Sequence, residues 1–495
     1  MTATSEQNRE IAAPVGVAKR RRLNTPAEYI PAALDDRVEA WLVVGLIAGL
    51  AWAPFWLGGN RLMPWGVDAV LFPSLTIVYE ASVLLSGRRH PVSAKFVAAP
   101  MALFLLVVLW IFAQASTFAP PGIAHPIWTM ASDALVAGLP TTISVDPPAT
   151  MRALMRLLTD ASVLWLSMQL FRRASRALLL LQAIAGIVAT YAAYGLVLAI
   201  AARGAIPFFD APNSGFAVRS TFVNQNSFAT YAGLGLIVTT ALTLRLYRHT
   251  VPNAAGIASF RLSNFIAATG QRGALYLCGG LLVLVALLGT ASRGGILSTA
   301  LGVFAVVMLT TTRQRSLRGD KLEAIAFVTA AIAITFVVFG DRFVGRIAAT
   351  GFGDSGRLAV YAIAVRAILD SPLLGFGYGT FADVFPMYRD QSISNYEVWD
   401  LAHNTYIEVW LGLGIVFGTA LIAAIGLLVV KCFVGAIKRQ HDSIAPVVAT
   451  GAALTVGVHA LVDFSLQMQA VSLTFMALLG AGVAQAESSR RAVAD

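Results

Sequence analysis

Apolar runs long enough to cross a bilayer recur along almost the whole chain, and they restrict its fold more than any single motif does. A hydrocarbon core of about 30 Å takes roughly 20 apolar residues as helix, and about a dozen such runs follow one another. Inside lipid every backbone N–H and C=O must find a partner, which leaves helical bundles and closed barrels. No stretch alternates with the period of a barrel strand. The sequence therefore predicts an all-α polytopic membrane bundle of about 12 transmembrane helices. Spans are expected at 39–58, 66–86, 96–114, 151–171, 176–202, 226–245, 273–291, 294–311, 322–340, 404–430, 444–466 and 468–487. With 57% hydrophobic and 13% charged residues and a mean hydropathy of +0.72, a soluble globular domain is excluded.

A net charge of +10 would suggest nucleic acid in a soluble protein, but its distribution argues for a membrane instead. With the N-terminus inside, every inside segment is basic, through Arg20 to Arg22, Arg88, Arg172, Arg245, Arg313, Lys431 and Arg490 among others. The outside segments hold more carboxylates, among them Asp210, Asp341, Asp354, Asp383 and Glu397. The positive-inside rule thus predicts a multi-pass protein with both termini cytoplasmic. The organisation expected is a disordered basic tail over 1–37, transmembrane helices 1–9 over 38–340, a large outer loop over 341–403, transmembrane helices 10–12 over 404–488 and a short tail over 489–495. The first span serves as its own signal anchor. Cys278 and Cys432 sit in apolar or membrane-edge surroundings and imply no disulfide framework.

The loop from 341 to 403 is the one long, mostly polar interval, and ordered loops of that length are usually functional. Within it, Ser355 to Asp370 reads as a helix lying at the outer surface, capped by Ser355 and ended before Pro372. On that helix Arg357 and Tyr361 share a face and Arg366 points away. Gly375, Gly377 and Gly379 follow no strand, so a dinucleotide site is excluded.

Cations at outer helix ends are uncommon, which singles out Arg219 and Arg293. An arginine fork grips phosphate oxygens, so the pair suits a diphosphate, against the alternative that both snorkel to headgroups. Arg357 is a third such contact or a surface anchor. Gly294-Gly295 after Arg293 permits a close approach or a tight hairpin. Asn224 and Asn226 either contact sugar hydroxyls or cap the following helix. His403 opens the tenth span beside Asn404 and Tyr406, where an imidazole titrating near neutrality can serve an acceptor hydroxyl. Glu408, one turn on, is placed to orient it. The stripes His459, Asp463, Gln467 and Arg152, Arg156, Asp160 either line the same cavity or link helices, and linking is the favoured reading. No His, Asp, Glu or Cys cluster has metal-ligand spacing, so neither metal nor other cofactor is expected.

These residues resemble the O-antigen ligase and O-antigen polymerase superfamily of bacterial inner-membrane glycosyltransferases. The resemblance is carried by Arg219 to Asn226, by Ser292-Arg293-Gly294-Gly295, by the run Arg366 to Gly377, and by Ala402-His403-Asn404-Thr405-Tyr406 with Gly412 and Gly414. It implies a lipid-linked-sugar transferase (GT-C-like) fold with a periplasmic cavity under the large loop. It also implies an undecaprenyl-pyrophosphate-linked glycan as donor and inverting, metal-independent transfer. On that resemblance Arg219 and Arg293 hold the pyrophosphate, His403 handles the acceptor, and Arg357, Tyr361, Asn224, Asn226, Asn404 and Tyr406 contact substrate. The acceptor expected is lipid A core, which makes the enzyme a ligase. A polymerase extending another lipid-linked repeat is the alternative. A transporter or flippase, the alternative of another class, should show inverted repeats and midplane charges, and neither is evident. Partners expected are these glycans and membrane lipids, with no nucleic acid.

Overall fold

The computed structural model describes residues 26–117, 119–120, 122–202, 205–206, 217–250, 262–311, 355–394, 396, 398–439 and 442–486. The expected span 322–340, the loop residues 341–354 and most of both tails lie outside them. The helices are α1 (Pro26–Trp52), α2 (Leu62–Ser86), α3 (Ala98–Ala115), α4 (Ile127–Leu135), α5 (Pro147–Leu170), α6 (Ala174–Ala201) and α7 (Gln225–Thr250). They continue as α8 (Leu262–Gly289), α9 (Arg293–Thr311), α10 (Ser355–Asp370), α11 (Phe381–Tyr388), α12 (Thr405–Lys438), α13 (Ile444–His459) and α14 (Gln469–Ala486). Among the described residues there is no strand, and the protein is an all-helical polytopic membrane bundle.

Each expected span other than 322–340 falls on one of these helices. Among the described residues, eight helices are long and apolar enough to cross a membrane by length and composition. The charged α5 is not among them, and α13 is a shorter apolar helix. The first helix starts at Pro26, well before the expected 39, because proline fits the first helical turn and the alanines after it favour helix despite the polar setting.

Burial separates centre from periphery. In α7 and α14 the most apolar windows are 78% and 89% buried, whereas in α2 and α3 the figures are 17% and 22%. A helix apolar all round and covered on every side belongs at the centre of the bundle, so α7 and α14 form its axis and α2 and α3 face lipid.

The long α12 is broken at Gly414, whose φ of 76° is non-helical. A break in a spanning helix leaves carbonyls that lipid cannot satisfy, and the segment after α10 meets them. Phe376 N–H donates to Leu411 O at 3.0 Å and Gly377 N–H to Gly412 O at 3.0 Å. Buried Gln114 donates to Leu374 O and Gly412 O at 2.7 and 2.8 Å, and Trp110 Nε1 donates to Leu413 O at 3.1 Å. The glycines 375, 377 and 379, all at positive φ, are thus a backbone splint for the break. Below it, Val360, Ile363 and Ala364 of α10 join Val384 and Phe385 of α11 and Ile407 and Leu411 of α12 in one apolar cluster. The loop is thereby fastened to the bundle.

Candidate functional site

Four separate stretches meet at one end of the bundle. Val218 N–H donates to Gly289 O at 3.0 Å, which ties the segment carrying Arg219 to the end of α8, just before Arg293 opens α9. Ser220, at φ 53°, donates through Oγ to Tyr191 O at 2.8 Å and Thr221 Oγ1 donates to Pro54 O, so the residues around Arg219 are fixed from α6 and from the turn after α1. Arg219 itself is buried, with 4% exposure, and burial lowers its guanidinium below its ordinary value.

The next residue along α9 explains how Arg293 approaches the C-terminal helices. A Cβ on Gly294 would stand 2.9 Å from His459 Nε2 and 3.0 Å from Val462 Cγ2, so only glycine lets α9 lie against the end of α13. Arg357 of α10 reaches the same turn, donating from Nη1 to Val462 O at 2.7 Å. The start of α12 is laced to it as well. Thr405 N–H donates to Ala460 O at 2.9 Å, Asn404 Nδ2 to Leu461 O at 2.9 Å and Thr405 Oγ1 to Asp463 O at 3.2 Å.

Asp463, fully buried in the turn between α13 and α14, is the hub of this arrangement. Its Oδ1 accepts from Asn226 Nδ2 at 3.3 Å and lies 3.7 Å from His403 Nδ1, close but beyond hydrogen-bond reach. Its Oδ2 accepts from Ser465 Oγ. Burial alone would raise this carboxyl, but His403, His459 and Ser465 outweigh burial and hold it below its ordinary value. His459, in turn, shares a hydrogen bond of 2.6 Å with Thr230 Oγ1 of α7.

His403 adopts φ 55°, a left-handed conformation uncommon outside glycine and found often at functional sites. Its ring is met edge-on by Phe464 and Trp399, at 4.6 and 5.5 Å between centroids. The side chain keeps 21% exposure while Nδ1 is buried, so the exposed part of the ring lies away from Asp463.

The residues expected from sequence divide by what their side chains do. Arg219, Arg293, Arg357, His403 and Asn226 converge on this end. Asn224 is the cap, its Oδ1 accepting from Asn226 N–H at 2.7 Å. Asn404 caps α12 through Tyr406 and Ile407 N–H. Tyr361 OH donates to His403 O at 2.9 Å and Tyr406 OH to Gly457 O at 2.8 Å, so both hold backbone. Glu408 does not touch the His403 ring; its Oε1 accepts from Ala402 N–H. Arg156 donates to Gln467 O and Asp160 accepts from Ser472 Oγ at 2.8 Å, which makes them the helix links expected. Asp463, favoured from sequence as a helix link over a residue lining the cavity, contacts Asn226 and Ser465 and lies beside His403; its spacing from His459 was the sequence signal. At the opposite end, Arg245 pairs with Asp442 at 2.6 Å and Arg88 with Glu39 at 2.8 Å, so arginines expected inside lie together there. Among the described residues no group of three or more His, Cys, Asp or Glu is placed to hold a metal ion.

Residues 278–423 match the family model described as O-Antigen ligase, a segment that holds Arg293, Arg357, the glycine splint and His403. No curated protein matches the chain. The matched segment, set in an all-helical membrane bundle, is what the chain shares with the O-antigen ligase family.

Proposed function

We propose that the protein is an O-antigen ligase, transferring a glycan from undecaprenyl pyrophosphate to a sugar of lipid A core at the periplasmic face of the bacterial inner membrane. The observation that supports this reading is that the segments carrying Arg219 and Arg293 are drawn to the same end of the bundle as Arg357 and the His403–Asp463 pair, around the turn after α13. Three arginines at one end of the bundle, Arg219 buried and Arg293 and Arg357 half-buried, suit a diphosphate better than one lipid headgroup each. The family match lends it the class of substrate.

In this reading the acceptor hydroxyl oxygen attacks the anomeric carbon from the face opposite the pyrophosphate. The bond from that carbon to the phosphate oxygen breaks, its electron pair leaving with the pyrophosphate, and configuration inverts. The arginines stabilise the charge growing on the leaving group, by about 3 kcal/mol for a well-placed donor. His403 accepts the hydroxyl proton on Nε2, and Asp463 beside Nδ1 stabilises the imidazolium so formed. Holding acceptor and donor in line supplies the rest of the acceleration.

Deleting the gene and resolving the cell's glycolipids on a gel tests the reading. Bare core with polymer retained on its lipid carrier supports a ligase. Core bearing a single repeat would make the enzyme a polymerase. An unchanged surface glycan would remove the transferase reading.

A further inference from the structure

A left-handed backbone at a non-glycine residue persists only where its surroundings impose it, so something must hold His403 at φ 55°. Tyr361 fixes its carbonyl. The peptide on its other side is fixed by Glu408: Ala402, fully buried, donates its N–H to Glu408 Oε1. The second carboxylate oxygen accepts from Gln467 Nε2, and the Gln467 carbonyl accepts from Arg156 Nη2. The Arg156 guanidinium lies over the Trp65 ring, 4.4 Å from its centroid. A continuous line of polar contacts thus runs from α2 and α5, through the turn before α14, to the residue preceding His403.

The line is expensive for a membrane protein. Charges in spanning helices are retained where they have a task, and removing one partner of a buried pair strands the other. Arg156, Glu408 and Gln467 also border a largely apolar cavity of about 850 Å³, in which apolar side chains would have packed at less cost. A carboxylate is suited to the task at 408 because it accepts two hydrogen bonds at once. One fixes the Ala402 peptide and the other ties it to the turn that carries Asp463.

We propose that Glu408, Gln467 and Arg156 are positioning residues for His403: through the Ala402 N–H they hold the backbone that presents the imidazole with Nδ1 towards Asp463 and its other nitrogen towards the mouth. This rests on the reading of His403 as the group that takes the acceptor's proton.

The test uses the full-length protein in membranes of a deletion strain complemented with each variant. Glycolipids on the gel report transfer, and diethylpyrocarbonate modification of His403, followed by mass spectrometry between about pH 5 and pH 8, reports how the ring is held. Glu408→Ala is expected to lower transfer by roughly tenfold or more and to raise the modification rate of His403. Glu408→Gln keeps an oxygen for the Ala402 N–H and is expected to restore most of both. Gln467→Met is expected to fall between them, and it carries the test if Glu408→Ala does not accumulate. Wild-type transfer and an unchanged modification profile in Glu408→Ala and Gln467→Met would overturn the proposal. Retained transfer in His403→Ala would instead overturn the reading of His403, and the modification profile alone would then decide whether Glu408 holds that backbone.

Discussion

Asp463 Oδ1 lies 3.7 Å from His403 Nδ1, and the same oxygen accepts from Asn226 at the start of α7. One carboxylate therefore joins the outer-loop junction, the C-terminal turn and the central helix. On the proposed chemistry it orients the imidazole and balances the charge formed when the acceptor's proton arrives. Asp463→Asn is expected to lower glycan transfer by about a hundredfold or more while the protein still reaches the membrane. Quantifying capped core against bare core in a complemented deletion strain checks this.

The arginines make a second prediction. Removing a donor that stabilises a leaving phosphate costs about 3 kcal/mol of barrier, or roughly a hundredfold in rate. Arg219→Ala and Arg293→Ala should each show that loss. Arg293→Lys should recover little, since a lysine presents a point charge rather than a planar fork. The same gel measures both, with membrane abundance determined in parallel.

The splint at the α12 break predicts a folding defect distinct from these catalytic ones. Gly375 sits at φ 68°, and a Cβ there would run into the Gly412 backbone. Gly375→Ala should lower stability by about 2 kcal/mol or more. A lower melting temperature in detergent and reduced membrane content would bear this out, whereas Arg293→Ala should change neither.

The pH dependence of stability follows from Asp463. Its carboxyl is held below the ordinary value of 3.8 in the folded protein. A depressed carboxylate contributes stability that is present above the unfolded value and lost as the pH falls through the folded one. The melting temperature of the solubilised protein should therefore drop as the pH falls below about 4. Asp463→Asn should flatten that part of the curve.

The sequence made the helices legible because a bilayer imposes one length and one composition on each. It also read α10 from Ser355 to Asp370 by cap and proline, and it divided that helix correctly: Tyr361 faces His403 while Arg366 pairs with Asp390 on the far side. What it missed depends on contacts between distant positions. Glu408 was expected to orient the imidazole directly from one turn away, but α12 begins only at Thr405, so the carboxylate reaches back to the Ala402 peptide instead. Asp463 and Gln467 were legible as a polar stripe on a continuing helix. In fact α13 ends at His459, and the turn that follows sends Asp463 inward to the site and Gln467 towards α5. The glycines at 375, 377 and 379 could be excluded as a nucleotide loop, yet their purpose required knowing that α12 breaks beside them.

The most direct measurement is transfer in vitro by the purified protein, with glycolipids extracted from the deletion strain supplying both the lipid-linked polymer and the bare core. The account predicts that wild-type protein moves the polymer onto core, and that His403→Ala and Arg293→Ala, folded and equally abundant, do not. Near-normal transfer by both variants would contradict it.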